Sequence, residues 1–307
     1  MLPIRVYVKY PGIILSAVLR KYGFWIPDKL YLQLLYTMET GKRLNLNNPK
    51  LFSEKIQWLK LYCRKPEYSV MVDKYAVKSY VSNIIGKDYV LPTLGVWDRP
   101  EDINFDELPQ QFVLKTTNGG GNEGVVICRD KDHLDKETIV KRLGKDSKGD
   151  LYRVYREWPY KNVPRRIIAE PLIENMEDSN QDIVDYKFYC FNGIPKYCQV
   201  IKDRNTKETI DFFDMDWGHQ VFYGLNPVYG PMIVPATIRP IKPMHFNEMV
   251  TIARKLSEGT AFSRIDLYDT FNGPLFGEIT FYPASGIGTF IPCEYNMILG
   301  EMIKLPL

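Results

Sequence analysis

The stretch Phe262-Ser-Arg-Ile-Asp-Leu-Tyr-Asp-Thr-Phe-Asn-Gly-Pro-Leu-Phe-Gly-Glu-Ile-Thr-Phe-Tyr-Pro283 holds two alternating segments on either side of Asn272-Gly273. Side chains alternate along a strand, and an Asn-Gly pair between two such runs marks a β-hairpin. Alternation places Arg264 and Asp266 on one face of the first strand, with Ile265 and Leu267 on the other. On the second strand Glu278 and Thr280 share a face opposite Ile279 and Phe281. A register centred on Asn272 sets Asp266 opposite Glu278, so two carboxylates meet on one surface. Like charges that close are costly unless a cation lies between them. An oxygen pair without thiol or imidazole suits magnesium, which keeps several waters and borrows phosphate oxygens. Arg264, one pleat away, offers a positive fork for a developing anion. The same residues also fit a solvated acidic face with Arg264 as its salt-bridge partner. The remainder of the chain has to choose.

Upstream, Phe112-Val-Leu-Lys115 and Val125-Val-Ile-Cys128 read as strands enclosing Thr116-Thr-Asn-Gly-Gly-Gly-Asn-Glu-Gly124. Gly119, Gly120 and Gly121 let the backbone approach a ligand and aim amide N–H groups at it, as phosphate-binding loops do. Thr116, Thr117 and Asn118 add donors. A plain flexible hairpin loop has similar glycines; Lys115 at its entry favours the anion-binding reading. Residues 166–173 form a strand leading to Glu174, and Pro171 marks its end as an edge or a hinge. A hinge with free backbone groups can seat an adenine ring. A second hairpin turns at Asn192-Gly193, with Asp185 and Lys187 on one face.

Periodicity gives helices at 13–22 and 28–40, the latter with Leu30, Leu34, Leu35 and Met38 as its stripe. Ser53-Glu54 opens a third, and Asp73-Lys74 starts a fourth with Val77, Tyr80 and Val81 inward. Residues 89–97 read as a short buried strand, 136–147 as a polar helix, 209–217 as a strand with outward acids, and 244–258 as an amphipathic helix ended by Gly259. No repeat or low-complexity segment interrupts the chain.

With 307 residues, 45% hydrophobic and 25% charged, the composition is that of a globular protein with ample core. A net charge of +3 gives no reason to expect nucleic acid as a partner. Residues 1–74 hold 13 Lys and Arg against 5 Asp and Glu, which points to an anionic partner or a basic solvated face. Five cysteines without C-x-x-C spacing indicate reduced thiols and no zinc site. The apolar run 10–19 is too short to span a bilayer, so no transmembrane segment is expected. With Lys9, Arg20, Lys21 and Phe24-Trp25 around it, the run fits either a buried helix or one lying on a membrane surface.

A lysine ending a strand, a glycine-rich loop, Glu170-Pro-Leu-Ile-Glu174, and Arg264-x-Asp266 with Gly277-Glu278 together resemble the ATP-grasp superfamily. Asn48-Pro-Lys-Leu-Phe-Ser-Glu-Lys-Ile-Gln-Trp-Leu-Lys-Leu61, Asp73-Lys-Tyr-Ala-Val77 and Phe276-Gly-Glu-Ile-Thr-Phe281 resemble its TupA-like branch, which is associated with bacterial polysaccharide loci. The resemblance implies an α+β fold in which two subdomains, at 96–165 and 166–307, clamp ATP, behind a mainly helical region at 1–95. It implies nucleotide contacts from Lys74, Lys115, Thr117, Gly119, Gly120, Gly121, Glu170, Ile173, Glu174 and Lys187. Asp266, Glu278 and Thr280 would hold Mg2+, and Arg264 and Lys115 would serve the reaction. Many ligases of the superfamily place Asn or Asp where Thr280 stands, so a second magnesium position has a weaker ligand here. The activity implied is a carboxylate–amine ligase acting through an acyl phosphate, with a uronic acid of a surface polysaccharide and an amine as partners. The alternatives are a sugar phosphotransferase and a non-catalytic or glycosyltransferase-type component of glycan assembly. The expected location is cytoplasmic, with peripheral membrane contact and a lipid-linked glycan as further partners.

Overall fold

The computed structural model describes residues 12–121, 123–173, 183–203, 206–226 and 232–306. The strands that flank the glycine loop belong to a four-stranded antiparallel sheet: β1 (Gly95–Trp97), β2 (Phe112–Thr116), β3 (Val125–Cys128) and β4 (Ile167–Pro171), in the order β1-β4-β2-β3. Alternation along β2 sends Phe112 and Leu114 into a small core with Ile139 and Leu143 of the helix Lys136–Ser147, and leaves Val113 and Lys115 facing a cleft. The helix covers the residues expected, and Asp135 caps it through Thr138 N.

The second sheet has β5 (Asp185–Phe191), β6 (Ile194–Lys202), β7 (Thr209–Asp214), β9 (Phe262–Thr270) and β10 (Gly273–Thr280), in the order β10-β9-β5-β6-β7. A two-stranded ladder joins β8 (Tyr223–Asn226) to β11 (Thr289–Ile291). One face of the large sheet packs Phe188, Cys190 and Ile265 together with Met249 and Ala253 of the helix Phe246–Ser257. On the other face Phe191 and Phe262 lie under Phe52 of the helix Phe52–Tyr62, with Phe52 and Phe262 edge to face at 5.0 Å. Truncating a buried aromatic such as Phe52 removes about 3–5 kcal/mol. Further along this second face the apolar surface gives way to Lys187, Asp266 and Glu278, which pair across three adjacent strands.

Several expectations change. The described part of the region at 1–95 is mainly helical; Phe52, Ile56, Met71, Val77 and Val81 belong to the core of the large sheet, while the helices Gly12–Tyr22 and Asp28–Thr40 share a cluster with Leu44 and Leu46. β4 lies in the first sheet, so that sheet runs past residue 165. β4 is an inner strand over residues 167–169, but at Pro171 it runs beyond β1 and is an edge on that side, as expected, so no ladder bond is asked of the proline. In Asp28–Thr40 the buried positions are Tyr31, Leu32, Leu35 and Tyr36, while Leu30 is exposed. The segment 89–97 yields only the three-residue β1, half-buried throughout. In β7 Asp211 points inward, where it accepts hydrogen bonds from His219 and Ala236 N.

The two Asn-Gly turns are built differently. Asn192 and Gly193 both have positive φ (52° and 78°), as a primed two-residue turn requires. In the hairpin of β9 and β10 the loop is Phe271-Asn272, and Gly273 with φ 115° follows it. That register alone would set Gly277 against Asp266. A bulge at Gly277 shifts the pairing by one, so Glu278 stands opposite Asp266 and Thr280 opposite Arg264. It also sets Phe276 opposite Leu267 while Glu278, two residues on, stands opposite Asp266. The expected pair forms through a tighter turn plus a bulge.

Candidate active site

A cleft of about 1060 Å3 opens between the two sheets. Lys74, Lys115, Gly120, Gly121, Glu170 and Ile173 line one side; Lys187, Arg264, Asp266, Glu278 and Thr280 line the other. The structure thus brings together eleven of the side chains and loop residues expected from the sequence. Glu174 lies outside the described residues.

On the first side, Glu170 is buried between two lysines. Its Oε2 pairs with Lys115 Nζ at 2.6 Å, and its Oε1 with Lys78 Nζ. Burial pushes the Glu170 carboxyl up, and Lys115 and Lys78 outweigh this and hold it below its ordinary value. Lys74 donates to the carbonyl of Gly119, which ties the helix Ala76–Ile85 to the glycine loop. Asp73 fastens the same junction: it accepts from Tyr75 N at 2.9 Å and pairs with Arg166 at 2.6 Å. Lys78 was not singled out from the sequence; it lies in the first turn of the helix Ala76–Ile85, four residues after Lys74.

The loop divides its labour. Gly120 and Gly121 are exposed to the cleft, Gly121 with φ 78°. Gly119 and Gly124 instead close over Asp146, which accepts from Thr116 Oγ1 at 2.5 Å; a Cβ at Gly124 would stand 2.0 Å from Asp146 Oδ2. Thr117 does not reach the cleft. It is fully buried, donating to Pro164 O at 2.7 Å and accepting from Arg166 N at 3.1 Å. Asn118 is likewise turned inward, onto the carbonyls of Ser147 and Gly149. These three side chains shape the loop and offer no donors to a ligand.

Across the cleft, Arg264 forks onto Asp266, with both nitrogen–oxygen distances at 2.7 Å. Its Nη2 also reaches Glu278 Oε1 at 3.0 Å and Thr280 Oγ1 at 3.1 Å. Lys187 pairs with Asp266 from β5, and with Asp185 at 3.4 Å. Burial pushes Asp266 up against the opposing pull of Arg264 and Lys187, leaving it above its usual range. Burial acts the same way on Glu278, but Lys74, Arg264 and Lys187 outweigh it and hold the group at about 2. The carboxylates are therefore unequal: the Asp266 side chain is 2% exposed and held on two sides, whereas Glu278 is 38% exposed to the cleft. Two carboxylates and a hydroxyl form an all-oxygen donor set that fits a hard divalent cation. Among the described residues no group of three or more His, Cys, Asp and Glu forms a metal cluster.

Beyond β10 the backbone makes three consecutive left-handed residues, Ala284, Ser285 and Gly286 (φ 46°, 53° and 64°). Non-glycine residues in this region store strain of about 1–3 kcal/mol each, and persist only where their surroundings impose them. Here Gln57 donates to Ser285 O and Gly286 O at 2.8 and 3.1 Å, Lys60 donates to Ser285 O at 2.8 Å, and Glu157 accepts from Ser285 Oγ. Ala284, Ser285 and Glu157 line the cleft, while Lys60 is fully buried. Burial pulls Lys60 down to about 8 despite Glu157. Sequence reading missed this set because Lys60 and Gln57 sit at ordinary helical positions.

The fold is α+β, with a four-stranded and a five-stranded antiparallel sheet facing one charged cleft. The family model described as TupA-like ATPgrasp matches residues 54–304, and the chain belongs to that family. None of the curated proteins compared with the chain matches it. Among solved structures, D-alanine–D-alanine ligase from Bacillus anthracis complexed with ATP is 15% identical with a TM-score of 0.42, over 76% of this chain and 63% of that one. The Helicobacter pylori D-alanine–D-alanine ligase is 16% identical with a TM-score of 0.43, over 83% and 69%. The ATP-grasp ligase PsnB, complexed with a phosphomimetic variant of its minimal precursor, Mg and ADP, is 12% identical with a TM-score of 0.39, over 82% and 65%. The chain spans 63 to 69% of the length of these structures. No helix among the described residues is long and apolar enough to cross a membrane.

Proposed function

We propose that the protein is an ATP- and Mg2+-dependent carboxylate–amine ligase. The observation that carries this reading is the pairing, across one cleft, of a lysine-rich wall with a glycine loop and a carboxylate wall with an arginine. ATP would lie between them, its phosphates against Lys74, Lys115 and the amides of Gly120 and Gly121, and its base toward Glu170 and Ile173. Magnesium held by Asp266 and Glu278, with Thr280 beside them, would neutralise phosphate charge. A carboxylate oxygen of the acceptor attacks the γ-phosphorus and ADP leaves; an amine then attacks the acyl carbon, loses a proton and expels phosphate. Arg264 faces the charge that develops on the transferred group, and Lys187 keeps Asp266 oriented. Such chemistry relies on positioning and charge more than on a protein nucleophile. The rigid turn at 284–286, one short step past the metal strand, is the seat we assign to the acceptor.

For substrates we infer a uronic acid of a bacterial surface polysaccharide, joined to an amino acid or small amine; the family and the basic amino-terminal third support this class. Nucleotide use and five free cysteines support a cytoplasmic location. The test is a product balance with magnesium-ATP and a panel of uronic acids, each with and without amines. ADP and free phosphate in equal amounts, only when acid and amine are both present, is the expected result. Phosphate retained on the sugar would replace the ligase with a phosphotransferase, and nucleotide binding without turnover across the panel would favour a non-catalytic glycan-assembly component.

A further inference from the structure

The helix Gly12–Tyr22 is apolar on both sides, where a surface helix is apolar on one. Ser16 and Leu19 face inward, and Leu19 joins Tyr31 and Leu35 in the amino-terminal cluster. On the outer side Ile14, Leu15, Val18 and Tyr22 fall within an arc of about 100°, at 100° per residue. Each is half or more exposed, and Phe24 with Trp25 (73% exposed) continues the patch into the next turn. This exposure is not slackness. Arg156, 2% exposed, donates from Nη2 to the carbonyls of Gly23 (3.0 Å), Phe24 (3.3 Å) and Ile26 (3.3 Å), and its guanidinium lies 3.8 Å over the Tyr31 ring. The turn that presents the two aromatics is thus fastened from beneath by a buried cation.

Charge identifies the occupant. Residues 1–27 contain no Asp or Glu; of the described cations there, Arg20 turns to Glu39 on the opposite side, while Lys21 stays beside the patch. Lys21 lies 5.0 Å from the Tyr22 ring centre and Arg153 4.6 Å from that of Phe24, so cations border the apolar patch. A short apolar helix face edged by lysine and arginine, with Trp and Phe beside it, has the make-up of an element that lies in the headgroup layer of a bilayer. We propose that the helix Gly12–Tyr22 and the turn Gly23–Trp25 dock the protein on an anionic lipid surface. From its opposite side the same helix sends Arg20, paired with Glu39, into the cleft wall. One helix therefore joins the bilayer to the cleft, an arrangement suited to an acceptor carried on a lipid. The docking itself rests on this surface alone and not on the reaction proposed above.

The test is co-sedimentation of the full chain with phosphatidylcholine vesicles, with and without phosphatidylglycerol, at low and high salt. Binding to the anionic vesicles only, weakened by salt, is expected. Trp25→Glu and Val18→Glu should each lower the bound fraction at least roughly tenfold, and Lys21→Ala about fivefold. Val221→Glu, at an exposed apolar residue outside the patch, should bind as the parent does. Thermal melts of each variant exclude misfolding. Equal binding to neutral vesicles, no binding to anionic ones, or unchanged binding by Trp25→Glu would overturn the proposal. So would a dimer abolished by Trp25→Glu without vesicle binding, which would assign the face to a second copy of the chain.

Discussion

On the wall built by β2, β4 and the helix Ala76–Ile85, Lys74, Lys78 and Lys115 surround the carboxylate of Glu170. On the wall built by β5, β9 and β10, Asp185, Asp266 and Glu278 surround Lys187 and Arg264. The first wall keeps surplus positive charge and the second surplus negative charge. Both walls bury charges of both signs, with Glu170 (6% exposed) under lysines and Lys187 (5%) against Asp266 (2%). A wall of one sign alone would repel itself. Counter-charges, Glu170 on the first wall and Lys187 with Arg264 on the second, hold the like charges in place and leave the surplus for a ligand of opposite sign. The walls are then matched to an anion and a cation, the two parts of a metal–nucleotide complex.

The largest effect that could break this comparison is loss of the cation site. Asp266→Asn keeps the shape and removes the charge that Arg264 and Lys187 share. Turnover, followed as ADP release, should fall by about 10² to 10³, while nucleotide affinity measured in EDTA stays near that of the parent. Near-normal turnover would remove Asp266 from the site. Next in size, Lys115→Met should weaken nucleotide binding by calorimetry roughly 10- to 100-fold, as expected for one charge-assisted contact. That loss should appear with or without magnesium. If it appeared only with magnesium, the two walls would not divide the ligand as argued.

Much of this was legible because charge and alternation are local. Arg264, Asp266, Glu278 and Thr280 could be placed on one face by counting residues, and Lys115 by its place at a strand end. The bulge at Gly277 could not be counted, since a glycine between Phe276 and Glu278 reads equally as regular strand. Thr117 and Asn118 read as donors to a ligand because a sequence does not say which backbone groups a loop must satisfy itself. Glu170 reads as a nucleotide contact, but its ion pairs with Lys78 and Lys115 depend on a helix and a strand meeting from far apart in the chain. The strain at Ala284 and Ser285 had no signal at all, being imposed by Gln57, Lys60 and Glu157 from other elements.

A smaller effect tests whether the walls sense each other. Among the charges acting on Glu278, Lys74 of the opposite wall lowers it most, ahead of Arg264 and Lys187. Because the folded value of about 2 lies below the ordinary 4.5, ionised Glu278 contributes stability above the ordinary value, and this is lost as pH falls toward 2. Lys74→Met should raise the folded value and shrink that acid-side loss, read as urea midpoints across the acid range. In a Glu278→Gln background the same substitution should leave the acid limb unchanged. An equal effect in both backgrounds would place the partner of Lys74 elsewhere.

The smallest expected effect concerns the acidic wall alone. Thr280 Oγ1 accepts from Arg264 Nη2 at 3.1 Å and donates to Glu278 Oε1 at 3.3 Å, so its hydroxyl is shared between the cation and the carboxylate of the protein itself. An amide oxygen at this position reaches further and is a better ligand for a hard cation than a hydroxyl already in use. Thr280→Asn should therefore lower the magnesium concentration needed for half-maximal turnover by a few-fold, with nucleotide affinity in EDTA unchanged. Its amide N–H can also donate to Glu278, so the ion pairs with Arg264 need not be lost. A magnesium requirement that rises instead would mean that the hydroxyl works by holding Arg264 in place. The acidic wall would then depend on Thr280 for the posture of its arginine, and its cation would be held by the two carboxylates and phosphate alone.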